Sequence, residues 1–521
     1  MKKAFLNFKK QSIEKKILVI FFVALVITII GNAWLCDDAY ITFRVVDNFI
    51  NGYGLRWNTF ERVQVYSNPL LLFCLSFFSF FTREIYYTSL IFSIVVSSLA
   101  VYILVFKVSK NYIISCGICL ILILSRSFIS YTTSGLENCL TFLLLVIYYY
   151  YYFKCEIFNE KGLFKMSLIA SFALVNRLDS ILLFLPSLIY IFLFKRENKI
   201  KFGRMLLIGF MGMFPFILWE VFSIIYYGFP FPNTAYAKLG TSIPTIQYIV
   251  KGIKYFIANF LFDPITLLCI VFVFFIVVFN KKKKYYISLG GVLIYLIYII
   301  KIGGDFMNGR FFTAPLFLSL IIVAVVLYEY KNYIVLFLML SILICFQNLF
   351  YQMYEGGISG AFSSRMIKGI ENERAIYFKN TGLKNNLQVK SLSDYSLVQK
   401  GIAFKKDYKK INTICSIGFI GYYAGPKAKI IDFLALSDSL LARMPIRDNQ
   451  VFGWRIGHIF RVIPDGYIET IQTGRNQIKD RNIKKYYNKL RIITQDKIFS
   501  KKRFKVIIDM NLGKYNYLIR K

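Results

Sequence analysis

Histidine is nearly absent from this chain: its 521 residues contain one, His458. A zinc site built from several imidazoles, or a triad that needs a histidine base, has no material to form from. Acidic residues are scarce too, at 28 Asp and Glu against 64 Lys and Arg, a formal net charge of +36. Charged residues of both signs make up 18% of the chain, where a soluble globular chain carries about 25%. With 57% hydrophobic residues and a mean hydropathy of +0.54, that shortage excludes a soluble enzyme, a disordered basic tail and a secreted disulfide scaffold. Eight of the nine cysteines lie in or beside apolar segments. The Cys116-x-x-Cys119 pair sits inside an apolar helical pattern and reads as two small hydrophobes. No nucleic-acid motif, internal repeat or Pro/Ser-rich linker is present, and the basic excess forms no stripe through polar surface, so nucleic acid is not an expected partner. Leu35 before Cys36 argues against a lipoprotein site. The apolar run 17–30, behind six lysines and without a cleavage signature, reads as a retained first helix.

Long apolar runs fill the first two thirds. Eleven segments approach the roughly 20 apolar residues that a span requires, at 17–34, 86–106, 111–129, 136–153, 166–177, 179–194, 205–227, 262–280, 285–302, 312–329 and 332–350. The run 69–81 (PLLLFCLSFFSFF) is too short and reads as a re-entrant or interfacial helix. With it left out, 21 of the 32 Lys and Arg up to residue 350 fall on one side of the membrane, and the opposite side and the helix breaks hold 11. Positive-inside bias makes the first side cytoplasmic, together with the N-terminus. The expected architecture is an α-helical polytopic membrane protein: residues 1–350 form the transmembrane module and residues 351–521 an extracytoplasmic mixed α/β domain of net charge +19. The apolar stretch within 427–438 is its clearest strand pattern.

On this topology the unusual polar residues gather at the outer side. Asp37 and Asp38 follow the first helix, with Glu61, Tyr66 and Asn68 later in the same loop. Glu137 opens the fourth span, Arg177 and Asp179 break the fifth hairpin, and Asn233, Tyr236 and Lys238 follow the seventh span. Asp305 and Arg310 connect the ninth and tenth. Ionisable residues at a membrane edge are functional candidates. Of two adjacent carboxylates, one can accept a proton while the other tunes it. Each also has a structural reading: a solvated loop for Asp37-Asp38, an ion pair closing a helix break for Arg177 and Asp179, headgroup anchoring for Lys238 and Arg310.

The first loop reads Asp-Asp-Ala-Tyr-Ile-Thr-Phe-Arg at 37–44, Asn-Gly-Tyr-Gly-Leu-Arg-Trp-Asn at 51–58 and Glu-Arg-Val-Gln-Val-Tyr-Ser-Asn-Pro at 61–69. There follow Ser-Gly-Leu-Glu at 134–137, Asn-Arg-Leu-Asp at 176–179, Tyr-Tyr-Gly-Phe-Pro-Phe-Pro-Asn-Thr-Ala-Tyr-Ala-Lys at 226–238 and Gly-Gly-Asp-Phe-Met-Asn-Gly-Arg-Phe at 303–311. The tail adds Gly-Tyr-Tyr-Ala-Gly at 421–425, Ile-Asp-Phe-Leu-Ala-Leu-Ser-Asp at 431–438, Ala-Arg at 442–443 and Gly-His at 457–458. In number and order these pieces resemble the membrane glycosyltransferases of the GT-C superfamily. They resemble most the terminal arabinofuranosyltransferases of mycobacterial cell-wall synthesis and their relatives in other bacteria. The chain departs from them at Leu178, where relatives usually carry proline.

The resemblance implies a many-helix bundle with juxtamembrane helices in its first outer loop. It implies a sugar on polyprenyl phosphate as donor, and a glycan, lipid or protein on the outer face as acceptor. Asp37 is then the expected base and Asp38 its partner, with Arg177, Lys238 and Arg310 expected on the donor phosphate. Tyr66, Asn68, Glu137, Asp179, Asn233, Tyr236, Asp305 and His458 are expected sugar or acceptor contacts. No cofactor is expected to be required; two carboxylates could hold a divalent ion, but none is expected. The expected setting is the bacterial inner membrane, with the protein a monomer. Displacement at an anomeric carbon needs a base for the acceptor hydroxyl and stabilisation of an oxocarbenium-like transition state. Cations can hold the leaving phosphate. The alternatives are a lipid-linked-sugar flippase or transporter, and a glycan polymerase or ligase using diphosphate donors. The topology is testable by cysteine labelling in a Cys-free background. A cysteine at 283 should react only after permeabilisation and one at 450 from outside; the opposite pattern would sink the assignment.

Overall fold

The computed structural model describes residues 2–239, 241, 243–280, 282–329, 337, 340–342, 369–388, 391–446 and 454–519. The protein is mostly helical, 71% of it. Among the described residues, three helices are long and apolar enough to cross a membrane: Tyr86–Val108, Lys283–Ile302 and Arg310–Tyr328. The number rises to six if each of three sharply bent helix pairs makes one span. Ten of the eleven expected segments coincide with helices. The eleventh, 332–350, lies largely outside the described residues, as does the expected domain boundary at 350. The chain divides into two compact units, and both are discontinuous in sequence. The first comprises Met1–Leu35, Ser89–Pro215 and Tyr248–Asn385, and the second Cys36–Thr88, Phe216–Gln247 and Asn386–Lys521.

The first unit is built around the helix Thr313–Glu329, which is buried on nearly every side. Its sequence, TAPLFLSLIIVAVVLYE, is apolar all round, the pattern of a helix enclosed by others. Phe317 from this helix stacks on Phe142, with ring centroids 4.9 Å apart. Small residues allow the neighbouring helices to approach closely. A Cβ on Gly291 would stand 2.6 Å from the carbonyl oxygen of Leu183 on the facing helix. The sequence pattern missed the helix Thr245–Phe262, because Lys251 and Lys254 interrupt its apolar run and mark it as amphipathic rather than spanning. It turns through 108° into Pro264–Asn280. Asp263 holds that corner, accepting from the Ser127 N–H and the Thr266 hydroxyl, both at 2.7 Å. A single carboxylate thus caps two helix starts.

In the second unit the run expected at 69–81 forms the helix Pro69–Thr82. Fourteen residues rise about 21 Å, short of a bilayer core of about 30 Å. The tail contributes short helices and a two-stranded parallel sheet, Asn412–Ile414 beside Ile430–Asp432, joined through the helix Phe419–Ala424. The strand expected within 427–438 is three residues long, because Asp432 turns the chain by accepting from the N–H groups of Leu434 and Ser437. Buried arginines fasten these distant segments. Arg44, 1% exposed, donates to the carbonyls of Trp57 (2.8 Å), Gly421 (2.6 Å) and Ala428 (3.0 Å), with its guanidinium 4.0 Å over the Trp57 ring. Arg503 donates to the carbonyls of Ile225, Tyr226, Ile493 and Ile498. Arg44→Ala would remove the donor to the Gly421 and Ala428 carbonyls and leave Trp57 with the Asn48 amide alone. We expect a loss of about 2 kcal/mol or more, read as a lower unfolding temperature in detergent and faster proteolysis of the tail.

Candidate functional site

Asp37 opens the helix Asp37–Ile50 and lies within the second unit. Its carboxylate is 9% exposed and accepts from the backbone N–H of Phe419 (2.8 Å) and of Gly418 (3.3 Å). Gly418 is demanded by this approach, since a Cβ there would sit 1.9 Å from the Asp37 carbonyl oxygen. Burial pushes the Asp37 carboxyl up to about 6, and the neighbouring Asp38 charge adds to the rise, while the two N–H groups oppose it. Asp38 is more open than Asp37. One helical turn on, Tyr40 lies with its ring 4.0 Å from that of Phe419 and 5.4 Å from that of Tyr422, a largely buried aromatic cluster that packs the helix on the 419–422 segment.

A second acidic cluster in the same unit surrounds Glu61, 2% exposed, whose Oε2 accepts from the Ser439 hydroxyl at 2.9 Å. Asp438 accepts from the N–H groups of Leu440 and Leu441 and from the Tyr467 hydroxyl. Burial raises both carboxyls above the ordinary range, and mutual repulsion adds to it for Glu61. Asn233 ties the 435–438 loop down: its amide donates to the carbonyls of Ala435, Leu436 and Asp438, and its Oδ1 accepts from Arg443 at 3.1 Å. The Arg443 guanidinium lies 4.0 Å over Phe229 and 4.3 Å over Tyr236. Gln64, Phe229, Phe231, Asn233, Ser439 and Arg443 line part of a recess of about 240 Å³ including the solvent at its mouth. The Tyr66 hydroxyl pairs with that of Tyr227 at 2.8 Å, and Asn68 accepts from Thr42.

The first unit holds a chain of alternating charges. Arg177, extended between the helices Glu160–Asn176 and Ile181–Phe194, binds Asp179 with two nitrogens at 2.6 and 3.0 Å and Glu137 at 2.5 Å. Arg310 donates to the same Glu137 at 2.9 Å and to Asp305 at 3.4 Å. The order Asp179–Arg177–Glu137–Arg310–Asp305 unites five of the expected site residues. Each guanidinium lies over the Phe311 ring as well, Arg177 at 4.5 Å and Arg310 at 5.9 Å. Both arginines are engaged by carboxylates, so a phosphate would compete with Glu137 for them.

No protein-family model and no curated protein matches the chain. The expected residues divide between the units: Asp37, Asp38, Tyr66, Asn68, Asn233, Tyr236, Lys238 and His458 belong to the second, and Glu137, Arg177, Asp179, Asp305 and Arg310 to the first. Lys238 is half-buried on the helix Asn233–Leu239, and His458 lies in a tight turn whose N–H donates to the Arg455 carbonyl. Among the described residues no three His, Cys, Asp or Glu side chains gather as a cation site. Sequence reasoning missed Gly418, Phe419 and Ser439; a glycine just ahead of an aromatic-rich stretch is too common a pattern to single them out. Glu137→Ala would leave Arg177 with Asp179 and the buried Arg310 with Asp305, at 3.4 Å. We expect a fall in unfolding temperature, because Arg310 then loses its shorter ion pair and keeps the longer one. Arg310→Lys keeps the charge without the planar fork and should also lower that temperature. Unchanged thermal stability with weakened donor binding would instead make Arg310 a phosphate ligand.

Proposed function

We propose that the protein is an inverting membrane glycosyltransferase that moves a sugar from a polyprenyl-phosphate donor to a cell-envelope acceptor on the outer face of the bacterial plasma membrane. The observation that carries this reading is the acid pair at Asp37-Asp38. Asp37 is held by two backbone N–H groups and is desolvated. A carboxyl raised to about 6 is still largely ionised at neutral pH, so it accepts a proton, and it is a stronger base than an ordinary aspartate. The apolar helices support a membrane setting. The eleven-span topology, the extracytoplasmic tail and the GT-C architecture complete the proposal, on the strength of the motifs. The closed pairing of Glu137, Arg177 and Arg310 favours an enzyme over a flippase, whose passage needs charges exposed to a moving headgroup. In this reading Arg177 and Arg310 position the first unit's loops, and Lys238 is the candidate for the donor phosphate. The sugar is left open, with arabinofuranose suggested by the resemblance alone.

Transfer by the purified protein, with polyprenyl-phosphate sugars as donors, tests the assignment. Activity should fall on the acid side of about pH 6 as Asp37 protonates. Asp37→Asn should lower transfer by about 10²-fold or more at neutral pH, with folding retained and the gap narrowing as the pH falls below about 6. Activity above a tenth of the parent would remove Asp37 as the base and leave Asp38 as the candidate. No transfer from any lipid monophosphate sugar, with transfer from a diphosphate donor, would shift the assignment to a polymerase or ligase.

A further inference from the structure

The last two long helices of the second unit have the same burial pattern and opposite outer faces. Arg481–Gln495 buries Tyr486, Tyr487, Leu490 and Ile493 and turns Arg481, Lys484, Lys485 and Asn488 outward, all polar. Lys501–Asn511 buries Arg503, Val506, Ile507 and Met510. At 3.6 residues per turn, Lys501, Lys505, Ile508 and Leu512 fall on the opposite side, in one stripe. Ile508 is 59% exposed and Leu512 79%, and just before the helix Phe499 is 82% exposed. These apolar side chains stand among Lys497, Lys501, Lys502, Lys505 and Lys514. The one acid on the helix, Asp509, is occupied by Lys514 (3.4 Å) and the Tyr515 hydroxyl (3.0 Å). An exposed apolar stripe flanked by lysines on an already folded helix has no use in solution and marks an interaction surface.

We propose that the face formed by Lys501, Lys505, Ile508 and Leu512, with the exposed Phe499 just before the helix, docks on an anionic lipid bilayer surface. Lysines attract the headgroups while the apolar side chains enter the boundary with the acyl chains. A bilayer is the partner this chain always has beside it, since other helices are apolar enough to cross one. The charge of the stripe matches a leaflet rich in anionic lipid. This inference is independent of the glycosyltransferase reading.

The test uses the full chain, Cys-free except for Leu512→Cys, carrying an environment-sensitive fluorophore in nanodiscs. In discs with about 30% anionic lipid, a nitroxide-bearing lipid should quench the probe at least about twofold more than in purely zwitterionic discs. High salt, or Lys501→Glu with Lys505→Glu, should abolish the difference. Ile508→Ser should weaken the quenching without altering its dependence on lipid charge. Unfolding temperatures equal to the parent's would show these surface changes to be local. Equal access of an aqueous quencher to the probe in both kinds of disc would overturn the proposal, as would concentration-dependent protection in detergent alone, which would make the stripe a contact between copies.

Discussion

The second unit depends on one buried cation. Arg44 donates to carbonyls from three stretches of chain, at Trp57, Gly421 and Ala428, and its guanidinium covers the Trp57 ring. Without it the Gly421 and Ala428 carbonyls would lose this donor, and Trp57 would keep only the Asn48 amide. Burial pulls Arg44 itself down to about 9, opposed by the charge of nearby Asp47. Because Arg44 lies two helical turns from Asp37, the same clamp that holds the loop on the tail sets the acid against the N–H groups of Gly418 and Phe419. The chemistry proposed at Asp37 needs a fixed, desolvated carboxylate, and this clamp supplies both conditions.

The first unit solves a different problem, that of keeping charge among apolar helices. Three carboxylates and two guanidiniums alternate through hydrogen-bonding distances, so every charge has an opposite neighbour, with one carboxylate in excess. Glu137 is the shared partner. Such a network is weak evidence of stability gained over an apolar core, yet losing either arginine leaves carboxylates without a cation. Glu137 is the one acid placed against both arginines.

Much of the helical plan was legible in the sequence because apolar runs of sufficient length leave the backbone little alternative in a bilayer. The helix break at 176–179 could be read from its charges, and the short helix Pro69–Thr82 from its length. The helix Thr245–Phe262 could not, because its lysines fit an outer loop as well as an amphipathic face. In the candidate site, the acids and arginines drew attention through their scarcity in an apolar chain. Their partners did not, since Gly418, Phe419 and Ser439 are chemically ordinary and matter through position alone.

The sequence by itself determined the class of molecule: composition and run length leave an apolar helical chain with a basic, mixed tail. Which charge meets which was decided by the tertiary structure. Asp37 and Phe419 are separated by most of the chain, as are Arg44 and Ala428, and nothing in local spacing encodes such pairings. Nor does the residue count announce that the first loop and the tail share one compact unit. The physical reason is that a buried hydrogen bond is specified by geometry at both ends, and a linear pattern records the residues without their distances.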